Sequence, residues 1–81
     1  MIKVTYRIEV PAGKTSGVCM KRIGSLPFVP APGTMIVAFR GDDFREVEQV
    51  YWSLQGGFEV YFKFEKYNRV TTLRKIGWVQ E

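Results

Sequence analysis

The sequence predicts a mainly β protein with a short C-terminal helix, built as a small antiparallel sheet or barrel of about four or five strands. SH3-like and OB-like shapes are the nearest. Three observations lead there. Residues 2 to 10 place Ile2, Val4, Tyr6, Ile8 and Val10 at even positions and Lys3, Thr5, Arg7 and Glu9 between them, the period of a half-buried strand. Phe58, Val60, Phe62 and Phe64 repeat that period against Glu59, Tyr61, Lys63 and Glu65. Between the two runs the chain is punctuated by Gly and Pro, and a three-residue spacing appears near its end, at Val70, Leu73 and Ile76.

The first strand ends at Pro11 and Gly13, residues that interrupt a ladder. From Lys14 to Thr34 the chain reads as loop, with a short strand around Val18 to Ile23. The prolines of "LPFVPAPG" favour extended backbone, so this segment is expected to cross the fold in order, with Phe28 and Leu26 anchored in the core. "MIVAFR", residues 35 to 40, is an apolar run between Gly33 and Gly41 and predicts a strand covered on both faces or a central one.

In the segment from Phe44 to Leu54, Val50, Trp52 and Leu54 share one phase while Val47 sits in the other. A β-bulge near Glu48 explains this, as does a strand half-covered on its second face. The next strand begins at Phe58. A two-residue Gly-Gly turn would set Trp52 against Tyr61 and mix the two phases. A three-residue loop, Gln55-Gly56-Gly57, instead pairs Leu54 with Phe58, Trp52 with Val60 and Val50 with Phe62, and Gly57 takes the left-handed position. That register sets Tyr51 opposite Tyr61 and Gln49 opposite Lys63, and makes Trp52 a core residue. The helix over Val70 to Ile76 has Thr71 or Thr72 as N-cap and Gly77 as its stop, after which Trp78 and Val79 pack back onto the sheet.

At 81 residues the chain is read as one domain, 1–81, which buries about 60 to 65% of the surface its unfolded form exposes. A 46% hydrophobic and 15% aromatic composition supports a single core. Cys19 is the only cysteine and there is no histidine. An internal disulfide and a Cys/His zinc site are therefore excluded within one chain, and the usual general base of hydrolase triads is missing. The alternating N-terminus does not read as a signal peptide, and no run approaches membrane-spanning length. A cytoplasmic setting without membrane attachment is expected, in keeping with an unpaired thiol.

Gly13-Lys14-Thr15 matches the end of a phosphate-binding P-loop, but the glycine required five positions earlier is Ile8, inside a strand, and Ser16-Gly17 follows where a helix should begin. The triplet reads as a turn. Asp42 and Asp43 are standard turn residues, Cys19 has no base beside it to complete a mechanism, and no residue set predicts a metal or cofactor.

Net charge is +4 and unevenly placed. Residues 10 to 41 and 66 to 80 carry cations and no acid, whereas Asp42, Asp43, Glu46 and Glu48 outnumber Arg45 between them. Tyr51 and Tyr61 on one non-core face, with Lys63, Arg45, Lys3 and Arg7 nearby, form a set of rings and cations of the kind that holds single-stranded nucleic acid. The same types occur at the centres of protein interfaces, with the acidic Asp42 and Asp43 hairpin as a further partner contact. A C-terminal helix laid over Val47, Tyr51 and Tyr61 would instead make the tyrosines a second small core. The expected function is a non-enzymatic binding module acting through protein recognition, as an inhibitor, adaptor or assembly piece of the sort phages carry. Single-stranded nucleic-acid binding is the alternative, and an exposed edge strand offers a route to homo-oligomers.

Overall fold

The alternation that opens the chain runs one step beyond Val10: strand β1 spans Ile2–Ala12. In this computed structural model, residues 1–12, 16–38 and 40–81 are described; the turn expected at Gly13-Lys14-Thr15 lies outside them. Strand β2 covers Ser16–Leu26 and pairs antiparallel with β1 along its whole length, from Ile2 opposite Leu26 to Ala12 opposite Ser16. A short strand inside a loop was expected here. The strand runs on through Gly24, where a Cβ would lie 3.0 Å from Cε2 of Tyr6. Glycine leaves room for the ring without ending the strand.

Strand β3 is short, Met35–Ile36, and pairs antiparallel with strand β4, Arg45–Trp52. Strand β5, Phe58–Phe62, pairs antiparallel with β4 and parallel with β1. Helix α1 follows at Val70–Lys75, and strand β6, Val79–Gln80, closes on β2. The sheet order is β3-β4-β5-β1-β2-β6. The fold is thus mainly β with one short helix, as the sequence predicts, but the sheet is mixed where an antiparallel one was expected, because β5 lies parallel to β1. Its four longer strands carry the structure, and β3 and β6 flank them.

The "MIVAFR" run does not form a covered central strand. Among its described residues Met35 and Ile36 join the sheet, at its edge, and Met35 and Val37 are exposed. Phe28 is likewise exposed, while Leu26 packs against the core. The space these residues were expected to fill is taken by the C-terminal segment. Val4, Tyr6, Ile8 and Val10 of β1 and Phe58, Val60 and Phe62 of β5 point to the inner face, where Leu73 of α1 and Trp78 meet them. Tyr6 stacks on Phe62, with ring centroids 5.7 Å apart and planes within 8°, and Phe62 meets Trp78 edge-on at 6.3 Å.

The β4–β5 register differs from the expected one by two residues. Trp52 faces Phe58, Val50 faces Val60, Tyr51 faces Glu59 and Gln49 faces Tyr61. The loop is longer, Ser53 to Gly57, held by Ser53 N–H donating to Gly57 C=O (3.1 Å) and Gly56 N–H to Ser53 C=O (3.2 Å). Both glycines sit at positive φ, 95° and 79°, and Gly57 lies so close to the Lys3 carbonyl that a side chain there would collide with it. The phase survives because the shift is even, but Leu54 falls in the loop and Trp52 in the last pair of the ladder, 69% exposed. The core tryptophan is Trp78, not Trp52.

The bulge at Glu48 is present. Val47 faces Phe62 and the register then slips before Gln49. The helix N-cap is Arg69, with no side-chain cap, so Thr71 and Thr72 lie inside the first turn. Gly77, at φ 106°, ends the helix as expected. Arg22 donates to the Ile76 carbonyl that the helix leaves unbonded, and Trp78 N–H returns to Leu73 C=O at 3.0 Å. Gln80 then pairs with Met20 and Val79 with Lys21, and Glu81 N–H donates to Cys19 C=O.

Candidate functional site

Val47 and Val50 both turn inward although they stand three positions apart, and alternation alone forbids that. The extra residue of the bulge resolves the conflict by leaving both Glu48 and Gln49 on the outer face. There they join Tyr51 of β4 and Glu59 and Tyr61 of β5 around an open cavity of about 500 Å³. Helix α1 packs on the opposite side of the sheet through Leu73, so it leaves the tyrosines uncovered. Tyr51 is 52% exposed and Tyr61 half-buried. Their rings meet edge to face, centroids 5.4 Å apart and planes at 89°, a favoured arrangement of two quadrupoles. They are diagonal neighbours, not the directly opposed pair the expected register gave.

Arg7 connects this cavity to the rest of the face. β1 runs beside β5 with Arg7 level with Tyr61, and its guanidinium lies 5.7 Å from the Tyr61 ring centroid. Arg7 Nη1 ion-pairs with Glu59, and Nε donates to Glu81 Oε1 at 2.7 Å. The Glu81 hydrogen bond, outweighing the desolvation that opposes it, raises the pKa of Arg7 further and keeps it charged. The Tyr61 hydroxyl is 3.5 Å from Glu59 Oε1. Glu48 makes no ion pair among the described residues.

The other residues singled out from the sequence are dispersed. Arg45 was expected on the binding face. It is buried on the inner side, in phase with Val47, where Nε and Nη2 grip both oxygens of Asp42 at 2.9 Å and Nη1 donates to Asn68 Oδ1 at 3.1 Å. Its guanidinium also lies 5.9 Å from the Trp78 ring centroid. Asp42 is correspondingly a buried structural anion, its side chain 1% exposed, while Asp43 beside it is exposed. Lys63 follows Tyr61 on the outer face and is exposed; Lys3 is exposed at the far end of β1, level with Gly57. Tyr51, Tyr61 and Arg7 are therefore brought together, Lys63 stands at their rim, and Arg45, Asp42 and Lys3 do not join them.

Glu48, Glu59 and Glu81 are the neighbours that sequence reasoning did not attach to the tyrosines. The Val47/Val50 spacing carried the signal for Glu48. Arg7's contact with Glu81 depends on β6 lying beside β2, which no local pattern indicates. Cys19 is half-buried, and its pKa is raised, first by desolvation and then by Glu81, against a lowering by Arg7. It is a poor nucleophile.

No family model matches the chain, and neither curated proteins nor solved structures give a match. Among the described residues no helix is long and apolar enough to cross a membrane.

Proposed function

We propose that this chain is a non-catalytic protein-recognition module that works through the outer face of β4 and β5. The observation that carries this reading is the open cavity in which an exposed tyrosine and a half-buried one meet two glutamates. Tyrosine supplies rigid contact area at low entropic cost and is enriched where interfaces are tightest. The charge of the site favours protein over nucleic acid. Glu48 and Glu59 would stand against phosphates, Arg7 is already shared by Glu59 and Glu81, and Arg45 is enclosed on the other side of the sheet. A single-strand platform needs its cations free to follow the backbone.

Selection from a random-peptide display library against the folded protein tests the reading. Selected peptides are expected to bind saturably, to lose about tenfold or more in affinity with Tyr51→Ala, and to outcompete labelled single-stranded DNA and RNA oligomers, which should show no saturable binding at low salt. Recovery of no peptide, together with oligonucleotide binding that weakens steeply as salt rises, would reverse the assignment.

A further inference from the structure

We infer that the outer-face cavity receives an arginine or lysine side chain, carried on an extended segment of a partner protein that adds to the free edge of β4. The inference rests on the protein-recognition reading and specifies what the partner presents.

The edge is the first ground. β3 pairs with β4 at Arg45 and Glu46, and the contact ends with Gly33 N–H donating to Val47 C=O (2.7 Å) and Val47 N–H to Thr34 C=O (2.8 Å). From Glu48 to Trp52, β4 has β5 on one side and no strand on the other among the described residues. Such an edge presents unpaired N–H and C=O groups, and a partner strand that docks there places alternate side chains over the same face as its host's. One set of those side chains would stand beside Glu48 and Tyr51.

Local charge is the second ground. The chain as a whole is cationic, +4, yet around the tyrosines three carboxylates, Glu48, Glu59 and Glu81, face one guanidinium, Arg7. Lys21, opposite Arg7 on β2, is two strands from Tyr61, roughly 10 Å in sheet spacing. Lys63 is the nearer cation, at the rim. The bulge matters here because it adds Glu48, a carboxylate with no ion pair among the described residues, to the outer face beside Gln49 and Tyr51.

The third ground is that the site already holds a cation in this manner. Arg7 sits over the Tyr61 ring while its guanidinium pairs with Glu59. The edge-to-face packing of Tyr51 against Tyr61 supplies a second ring beside Glu48. A ring face backed by a carboxylate attracts a guanidinium or ammonium group by both its quadrupole and its charge.

The peptides selected from the display library provide the test, each compared with a counterpart in which its basic residue is glutamine. Selected peptides are expected to share an arginine or lysine at a fixed position, and its replacement should weaken binding about tenfold. Glu48→Gln, an exposed near-isosteric change, should weaken binding comparably while the amide NMR spectrum stays that of the folded protein. Lys63→Gln should leave affinity unchanged or increase it. Intermolecular NOEs should link the peptide backbone to Glu48 through Trp52. Peptides that bind through Tyr51 but share no basic residue would overturn the inference and leave protein recognition standing. Weaker binding with Lys63→Gln would also overturn it, since an acidic ligand would then be in the site. Failure to select any peptide would remove both.

Discussion

The two tryptophans mark the two ends of a division that runs through the molecule. Trp78, 1% exposed, is held on the inner face by Phe62 and by the guanidinium of Arg45. Trp52, on the same side of the sheet by strand phase, is 69% exposed at the end of the β4–β5 ladder. What separates them is coverage and not chemistry. The C-terminal segment folds over the middle of the inner face and stops short of the hairpin end. On the outer face no described helix or strand packs over Tyr51 and Tyr61, and the two rings are arranged around a cavity instead of a core. Aromatic residues on the covered face support the fold, and those on the open face are available to a ligand.

This division can be broken by substitution. Trp78→Ala should be the most damaging change, costing about 3 to 5 kcal/mol in urea unfolding, because a large cavity would open between α1 and β5. For a domain this small that cost amounts to much of its stability. Arg45→Ala should cost about 3 to 5 kcal/mol, since it leaves the buried Asp42 carboxylate without its partner. Arg45→Lys should recover only part of the loss, as an ammonium cannot grip both oxygens. Trp52→Ala, by contrast, should cost about 1 kcal/mol or less, and a loss like that of Trp78→Ala would mean that the hairpin end is covered after all. Tyr51→Ala should also cost about 1 kcal/mol or less, the worth of its edge-to-face contact.

A pH titration sharpens the inner side of the comparison. Burial raises the pKa of the Tyr6 phenol. Above about pH 10 the unfolded chain releases that proton while the native state retains it, so the unfolded state binds fewer protons and stability falls as pH rises. The contribution is fully present below the unfolded value and is lost as pH climbs towards the raised folded one. Tyr6→Phe should flatten this part of the stability profile relative to the unsubstituted protein. An equal slope in both proteins would place the phenol in water.

Much of the inner side was legible in the sequence, because alternation is a local signal. β1, β5, the phase of Val50, the bulge at Glu48 and the stop at Gly77 could all be read from neighbours within a few residues. The β4–β5 register could not. Two glycines at positive φ accommodate a three-residue loop or a five-residue one, and both keep the phase. The return of Trp78 to the sheet was read correctly, but Trp52 was misjudged because hydrophobicity fixes which side of a strand faces the core but not how far along the strand the core extends. The extent of β2 was hidden for another reason: Gly24, which reads as a breaker, lies inside the strand, beside the Tyr6 ring across the hairpin. On the outer face the tyrosine pair was legible from strand phase. Its acidic surroundings were not, since they depend on a bulge and on a C-terminal strand placed by long-range pairing.

The measurement that bears most directly on the division is the affinity of a selected peptide for the unsubstituted protein and for Tyr51→Ala, with urea unfolding of both run alongside. The account predicts that binding falls about tenfold or more while the unfolding midpoint hardly moves. A midpoint that drops as far as it does for Trp78→Ala, or an affinity that does not change, would contradict it.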